Sequence, residues 1–280
     1  AFTAKFAGTE RNSYRVDGLD KLLQDGKFSP LGLFLEARCS RPRVDSESGA
    51  RLAQETISMV NALCNMTHLC DELLEADVLE CVVPFVSDPN PSVRGICERS
   101  LSTIELLFTN STSGMNRLIA CNGFDAVQER LRSEVTAARS SAAVLGYHDM
   151  YLIKKLLRAL TRIIMTSDAS GIDEKKVDVL YWALKEIFVS HERFGSGLFD
   201  AATSCFREVL HYDPLQYKTM SSMKLDVSYV DAISSMKGRD SSVSLNIVPT
   251  LSAICLSEAG RELVKSRSAL HFVAETFTDV

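Results

Sequence analysis

Apolar residues return at the three-and-four spacing of an amphipathic helix in window after window of this chain, and no comparable stretch alternates with the period of two that a half-buried strand requires. Leu52, Thr56, Ile57, Val60, Leu63 and Cys64 form one stripe, and Val93, Ile96, Cys97, Leu101, Ile104 and Phe108 form another. The strongest comprises Leu152, Ile153, Leu156, Leu157, Leu160, Ile163 and Ile164. It is followed by Val177, Leu180, Tyr181, Leu184, Ile187 and Phe188, and then by Leu198, Ala202, Cys205, Phe206 and Val209. The pattern predicts an all-α fold.

The connectors predict what kind. In "VSDPNPSVRG", Val86 to Gly95, two prolines flank Asn90, so one helix should end near Val86 and the next should begin at Asn90 or Pro91. In "SLNIVPTLSAICLSEAGRELV" the helical positions Val248, Leu251, Ile254, Cys255 and Leu256 surround Pro249. A proline deep in a helix costs about 3 kcal/mol, but one in the first turn removes an N–H that had no intrahelical partner. The expectation is therefore that Asn246 caps the helix and Pro249 falls in its first turn.

Repetition points to the architecture. "LLEADVLECVVPFV" from Leu73 and "LIACNGFDAVQERL" from Leu118 match in their apolar positions at an offset of 45 residues. "MSSMKLDVSYV" from Met220 and "LVKSRSALHFV" from Leu263 match at an offset of 43, placing Val227 and Val230 opposite Leu270 and Val273. Periods of about 40 to 47 residues with two or three helices each belong to armadillo and HEAT arrays, in which neighbouring repeats bury one another's apolar faces. The expected fold is an armadillo/HEAT-like right-handed α-solenoid of short helices. It would have N-terminal repeats over residues 1–135 with an exposed loop near 38–50, a linker at 136–148, and C-terminal repeats over 149–280. The loop "RCSRPRVDSESGA" is polar and aperiodic, whereas the alanines after Thr136 offer the preceding helix a way to continue until Gly146 stops it.

A chain of 280 residues, 46% hydrophobic and 24% charged, has ample apolar surface to bury. Its net charge of −5 gives no general attraction to nucleic acid or to anionic membrane, and no apolar run is long enough to span a bilayer. The eight cysteines show no CxxC pair, which fits reduced thiols and a cytoplasmic or nuclear location. The chain starts at Ala1 and stops at "AETFTDV" just after a helical pattern, so it reads as a segment of something longer.

Motifs for chemistry are lacking. There is no P-loop, GxSxG elbow or HExxH, and Gly195-Ser196-Gly197 lacks a βαβ setting and reads as a helix start. Cys64, His68 and Cys70 do not complete a metal site at any recognised spacing, and Ser221-x-x-Lys224 stands without the other segments of a serine–lysine enzyme. No catalytic residue, metal or cofactor is expected. Two features suggest protein binding. Lys154, Lys155, Arg158 and Arg162 line the helix face opposite the leucines and could attract an acidic peptide, or could simply be a solvated face. Trp182 lies off its helix's main stripe, as an exposed anchor or as a residue buried against the next repeat.

Four blocks in order carry a resemblance. They are "NGFDAVQERLRSEV" (Asn122 to Val135), "LLRALTRII" (Leu156 to Ile164), "RFGSGLFDAATSCFREVLHYDPLQYKTM" (Arg193 to Met220) and "SLNIVPTLSAICLSEAGRELVKS" (Ser244 to Ser266). The chain from Asn122 onward resembles the N-terminal armadillo-like region of the giant HECT-domain E3 ubiquitin ligases, the Huwe type of animals with its yeast and plant relatives. The residues before Asn122 share mainly its helical style, and the segment at 136–148 is shorter than in animal members. The resemblance implies a non-catalytic scaffold that recruits protein substrates and presents them to a HECT domain absent from this chain. The partners implied are those substrates, the other armadillo-like segments and the HECT domain of the same parent chain. None of the eight cysteines corresponds to the ubiquitin-carrying one. The other reading is a stand-alone armadillo/HEAT adaptor that binds peptide segments in its groove.

Overall fold

The computed structural model describes residues 47–90, 93–141, 145–166, 177–235 and 241–267, together with Ala269 and Ala274. The described residues are helices joined by short turns, with no strand among them. The chain divides into two compact units, Ala1–Arg130 and Leu131–Val280.

The first unit contains α1 (Glu47–Cys64), α2 (Cys70–Glu75), α3 (Val78–Ser87), α4 (Arg94–Asn110), α5 (Gly114–Ala120) and the start of α6 (Gly123–Ser140). The long helices α1 and α4 pack side by side, and α3 packs on α4. From Thr56 to Cys64 and from Val93 to Phe108, every residue of the two predicted stripes whose side chain is described is buried. Polar side chains fix the register between α1 and α4. Arg99 Nη1 donates to Ser58 Oγ at 2.6 Å, and Asn110 Nδ2 donates to the Cys64 carbonyl at 3.0 Å, occupying an acceptor that the end of α1 leaves open.

The sequence match at an offset of 45 residues has a backbone counterpart. Asp77 (φ 56°) joins α2 to α3 and Asn122 (φ 58°) joins α5 to α6, each in the left-handed conformation that Asp and Asn tolerate best. In the second unit Lys224 (φ 60°) makes the same joint between α10 (Tyr217–Ser222) and α11 (Leu225–Ser235). Short helix, left-handed joint and middle helix thus form the recurring unit. The partner segment of the second sequence match enters residues 268 and 270–273, outside the described ones.

The second unit continues with α7 (Tyr147–Thr166), α8 (Asp178–Val189), α9 (His191–Tyr212), α10, α11, α12 (Ser241–Ile254) and α13 (Glu258–Ser266). α7 packs on α9, α9 on α12, and α8 on α11. The core between α8, α9 and α11 is aromatic. The Phe188 ring centroid lies 5.4 Å from Phe199, 5.9 Å from Phe206 and 5.1 Å from Tyr229. Tyr217 Oη donates to Asp226 Oδ2 at 2.6 Å and ties α10 to α11, while Asp226 Oδ1 accepts the Val227 N–H at 2.8 Å.

Several local expectations are corrected. The helix holding Pro249 begins at Ser241, so Pro249 is internal and Asn246 is not its cap. The helix can continue because proline at 249 frees only the Leu245 carbonyl, and Leu245 is on the solvent side. Running through the proline also sets the phase of α12: Ile247, Thr250, Leu251 and Ile254 face the core, while Val248, expected in the stripe, is exposed; Leu256, also expected there, is exposed in the turn after the helix. The helix start expected at Asn90 or Pro91 involves residues 91 and 92, which lie outside the described ones; Val93 is already in 3-10 geometry with its N–H bonded to Asn90 O at 3.0 Å, and the α-helix runs from Arg94. The loop expected at 38–50 falls outside the described residues up to 46, and Glu47 to Ala50 are already helical. α6 stops at Ser140, well before Gly146, which instead leads into α7 with its N–H bonded to Asp149 Oδ2 at 3.2 Å.

Arg130, only 3% exposed, holds the end of α3. Its guanidinium donates to the carbonyl of Val86 at 3.4 Å and to that of Asp88, two acceptors left open where the helix stops. Substituting Arg130→Leu keeps apolar bulk but leaves those carbonyls without their charged donor, at about 2 kcal/mol. Urea unfolding of the variant should show a lowered midpoint with an unchanged slope; an unaltered midpoint would mean the guanidinium is dispensable there.

Candidate functional site

The long helices of the second unit present one continuous surface, built in two seams. At the first, Lys154 of α7 places its Nζ 3.0 Å from where a Cβ at Gly197 of α9 would lie, so the absence of a side chain there lets the ammonium approach. Gly195, two residues earlier, has φ 77° and ψ 164°; the backbone leaves helical geometry there and resumes it, as expected of a helix start. Farther along the seam lies Cys205, whose thiol is raised first by burial, with a Thr161 hydrogen bond and then Arg158 favouring the thiolate and Glu208 opposing it. Burial prevails and pushes the Cys205 thiol up to about 11. At the second seam Asn246 of α12 donates to Asp200 Oδ1 and accepts from Arg207 Nη1 at 2.9 Å, both on α9.

Outside these seams the helices differ in chemistry. On α7, Arg158 is exposed and Lys154, Lys155 and Arg162 are half-buried. Beside them stand Tyr147 and Tyr151, 72% and 38% exposed, with rings stacked 6.2 Å apart at 13°. The Lys155 ammonium lies 5.3 Å from the Tyr151 ring centre, a cation–π contact. The outer face of α9 is small, with Gly197, Ala201 and Ser204 followed by exposed Glu208. α12 contributes apolar side chains: Leu245 is 73% and Val248 43% exposed.

The structure therefore brings the four predicted cations onto one face of α7 and leaves Trp182 apart from them, half-buried on α8. Sequence reasoning missed the two tyrosines, although spacing of four from Tyr147 to Tyr151, and of three and four from Tyr151 to Lys154 and Lys155, already placed them on that face. It also took Val248 for a core residue. Cys64 and Cys70 are buried while His68 is exposed; burial, followed by the nearby Cys70, pushes the Cys64 thiol up to about 12. Among the described residues no group of His, Cys, Asp and Glu gathers as a metal site, and no helix is long and apolar enough to cross a membrane. A concavity of about 540 Å³ between Lys218, Ser221 and Ser222 on one side and Ser257 and Glu258 on the other does not include Lys224. Ser221 and Lys224 thus do not meet in it.

Comparisons with known proteins bear on both fold and identity. The family described as Domain of Unknown Function (DUF913) matches residues 98–280. E3 ubiquitin-protein ligase UPL1 of Arabidopsis thaliana is 24% identical over 268 residues, 88% of this chain and 7% of that protein. E3 ubiquitin-protein ligase UPL2 of the same plant is 24% identical over 249 residues, covering 81% of this chain and 7% of that protein. E3 ubiquitin-protein ligase ptr1 of Schizosaccharomyces pombe is 21% identical over 215 residues, covering 70% and 6% respectively. The chain thus spans less than a tenth of the length of these relatives. Among solved structures, the designed armadillo repeat protein YIII(Dq.V1)4CPAF in complex with peptide (KR)4 superposes with a TM-score of 0.54 at 15% identity, over 85% of each chain. A computationally designed armadillo repeat protein for modular peptide recognition gives 0.51 at 13% identity, over 90% of this chain and 98% of that one. The fold is the armadillo-type all-α solenoid expected from the repeat period.

Proposed function

This chain belongs to the DUF913 family, and on that footing we propose that it is a non-catalytic, protein-binding segment of a HECT-type E3 ubiquitin-protein ligase, acting in the cytoplasm or nucleus. Its part in the reaction is proximity: it holds a protein substrate where the substrate's lysine can attack the ubiquitin thioester carried elsewhere in the parent chain. The relatives named as ubiquitin ligases support the setting, and the exposed cationic and aromatic face of α7 is the observation that carries the binding role. Two of the described thiols fit a non-catalytic reading. Cys64 and Cys205 are held protonated by burial, the reverse of the low-pKa exposed thiol that a thioester enzyme uses.

The test uses the full parent chain with Lys154→Glu and Arg158→Glu together. Ubiquitin loading of the HECT cysteine should be unchanged while transfer to protein substrate falls about tenfold, equivalent to about 1.4 kcal/mol of substrate binding. Equal transfer by both forms, or a loss of loading itself, would refute the reading. A stand-alone armadillo adaptor is the competing reading, and the presence or absence of a HECT domain in the same open reading frame separates the two.

A further inference from the structure

We propose that the long-helix surface of the second unit takes an extended peptide with a cluster of carboxylates at one end and aliphatic side chains about six residues away. This rests on the protein-binding reading above and names the class of ligand. The spacing follows from the helices. α7 packs on α9 and α9 on α12, and each packed pair sets its axes about 8–10 Å apart, so a strand crossing from α7 to α12 covers roughly 20 Å at about 3.3 Å per residue.

Each part of the surface selects a part of the ligand. Lys154, Lys155, Arg158 and Arg162 offer charge-assisted hydrogen bonds to carboxylates, and the stacked Tyr147 and Tyr151 rings add flat apolar area beside them. Ala201 and Ser204 let a backbone lie close to α9, beyond the Lys154 ammonium that covers Gly197. Leu245 and Val248 on α12, large and solvent-exposed, favour aliphatic side chains. Between the two ends, exposed Glu208 and the carboxylate of Asp200 repel a ligand that is anionic along its whole length. A nucleic-acid strand, charged at every phosphate, fits that distribution worse than a peptide whose charge is confined to the α7 end.

The test is fluorescence anisotropy with the 280-residue chain and a labelled peptide in which a glutamate block and a Leu/Val block are separated by about five Gly/Ser residues. Micromolar binding is expected, lost when lysines replace the glutamates. Lys154→Glu with Arg158→Glu should weaken it at least about tenfold, and so should Leu245→Asp with Val248→Asp, with unchanged circular dichroism in both variants. If Lys154 cannot be replaced without unfolding, Arg158→Glu with Arg162→Glu gives the same readout. The proposal is overturned by no binding, by equal affinity for the glutamate block alone, or by tighter binding of single-stranded oligo-dT. Should substrate transfer by the parent chain depend on Lys154 and Arg158 while this peptide fails to bind, the ligand class falls and the protein-binding reading stands. If transfer is also unaffected, both fall.

Discussion

Phe188→Ala is expected to destabilise the second unit by about 3–5 kcal/mol, a large share of the total stability of an ordinary domain. Phe188 is fully buried and touches Phe199 and Phe206 from α9 and Tyr229 from α11, so truncation opens a cavity at the meeting point of three helices. The loss has three sources: transfer of the ring, the dispersion contacts its neighbours no longer make, and the edge-to-face geometry of the aromatic pairs. The neighbours have little freedom to collapse, because Phe199 and Tyr229 are already stacked on each other at 6.0 Å. Phe188→Leu retains most of the volume and should cost distinctly less. Urea unfolding followed by circular dichroism gives the energies, and amide exchange should lose protection first in α8, α9 and α11. A midpoint that moves no more for alanine than for leucine would mean the cluster relaxes freely and is not the organising core.

The same cluster marks how far the sequence could be read. Phe188, Phe206 and Val209 stood on their stripes because burial leaves a period, and that period survives whatever the helix packs against. The offset of 45 residues was legible for the same reason, since the apolar positions of the two segments match; the left-handed joints at Asp77 and Asn122 are its backbone counterpart, which the apolar pattern did not show. What failed was local punctuation. Pro249 looked like a boundary, yet a helix tolerates proline when the carbonyl it strands faces water, and which side of α12 faces water is a tertiary fact. The cations of α7 were legible as a face, but their setting was not. Lys154 reaches over Gly197, and Leu245 and Val248 lie two helices away across α9; only packing brings segments so distant in sequence onto one surface.

Alkali should unfold the protein by ionising groups that the fold keeps neutral. The phenols of Tyr181, Tyr217 and Tyr229 are pushed well above the usual range, in each case first by burial. Next in weight come the charge of Asp213 for Tyr181 and the hydrogen bond to Asp226 for Tyr217, whereas for Tyr229 the Thr250 contact works the other way. Cys205 is raised to about 11 and Cys64 to about 12, again chiefly by burial. These are acids whose folded values exceed their unfolded ones, so below about pH 7.5, a unit under the unfolded thiol value, both states hold the proton and stability is unaffected. Above it the unfolded chain releases protons that the folded chain retains, and each such group removes about 1.4 kcal/mol per pH unit until its folded value is reached. With thiols and phenols acting together, stability should be level through neutral pH and collapse between about pH 9.5 and 11, with the tyrosinate absorbance of the buried phenols appearing together with the loss of helical circular dichroism. Cys205→Ala offers the discriminating comparison. It introduces a small cavity and is weaker at neutral pH, but its stability should fall less steeply with pH above 9, so the gap between variant and parent narrows in alkali. A gap that stays constant or widens would mean that burial of this thiol does not contribute to the alkaline transition.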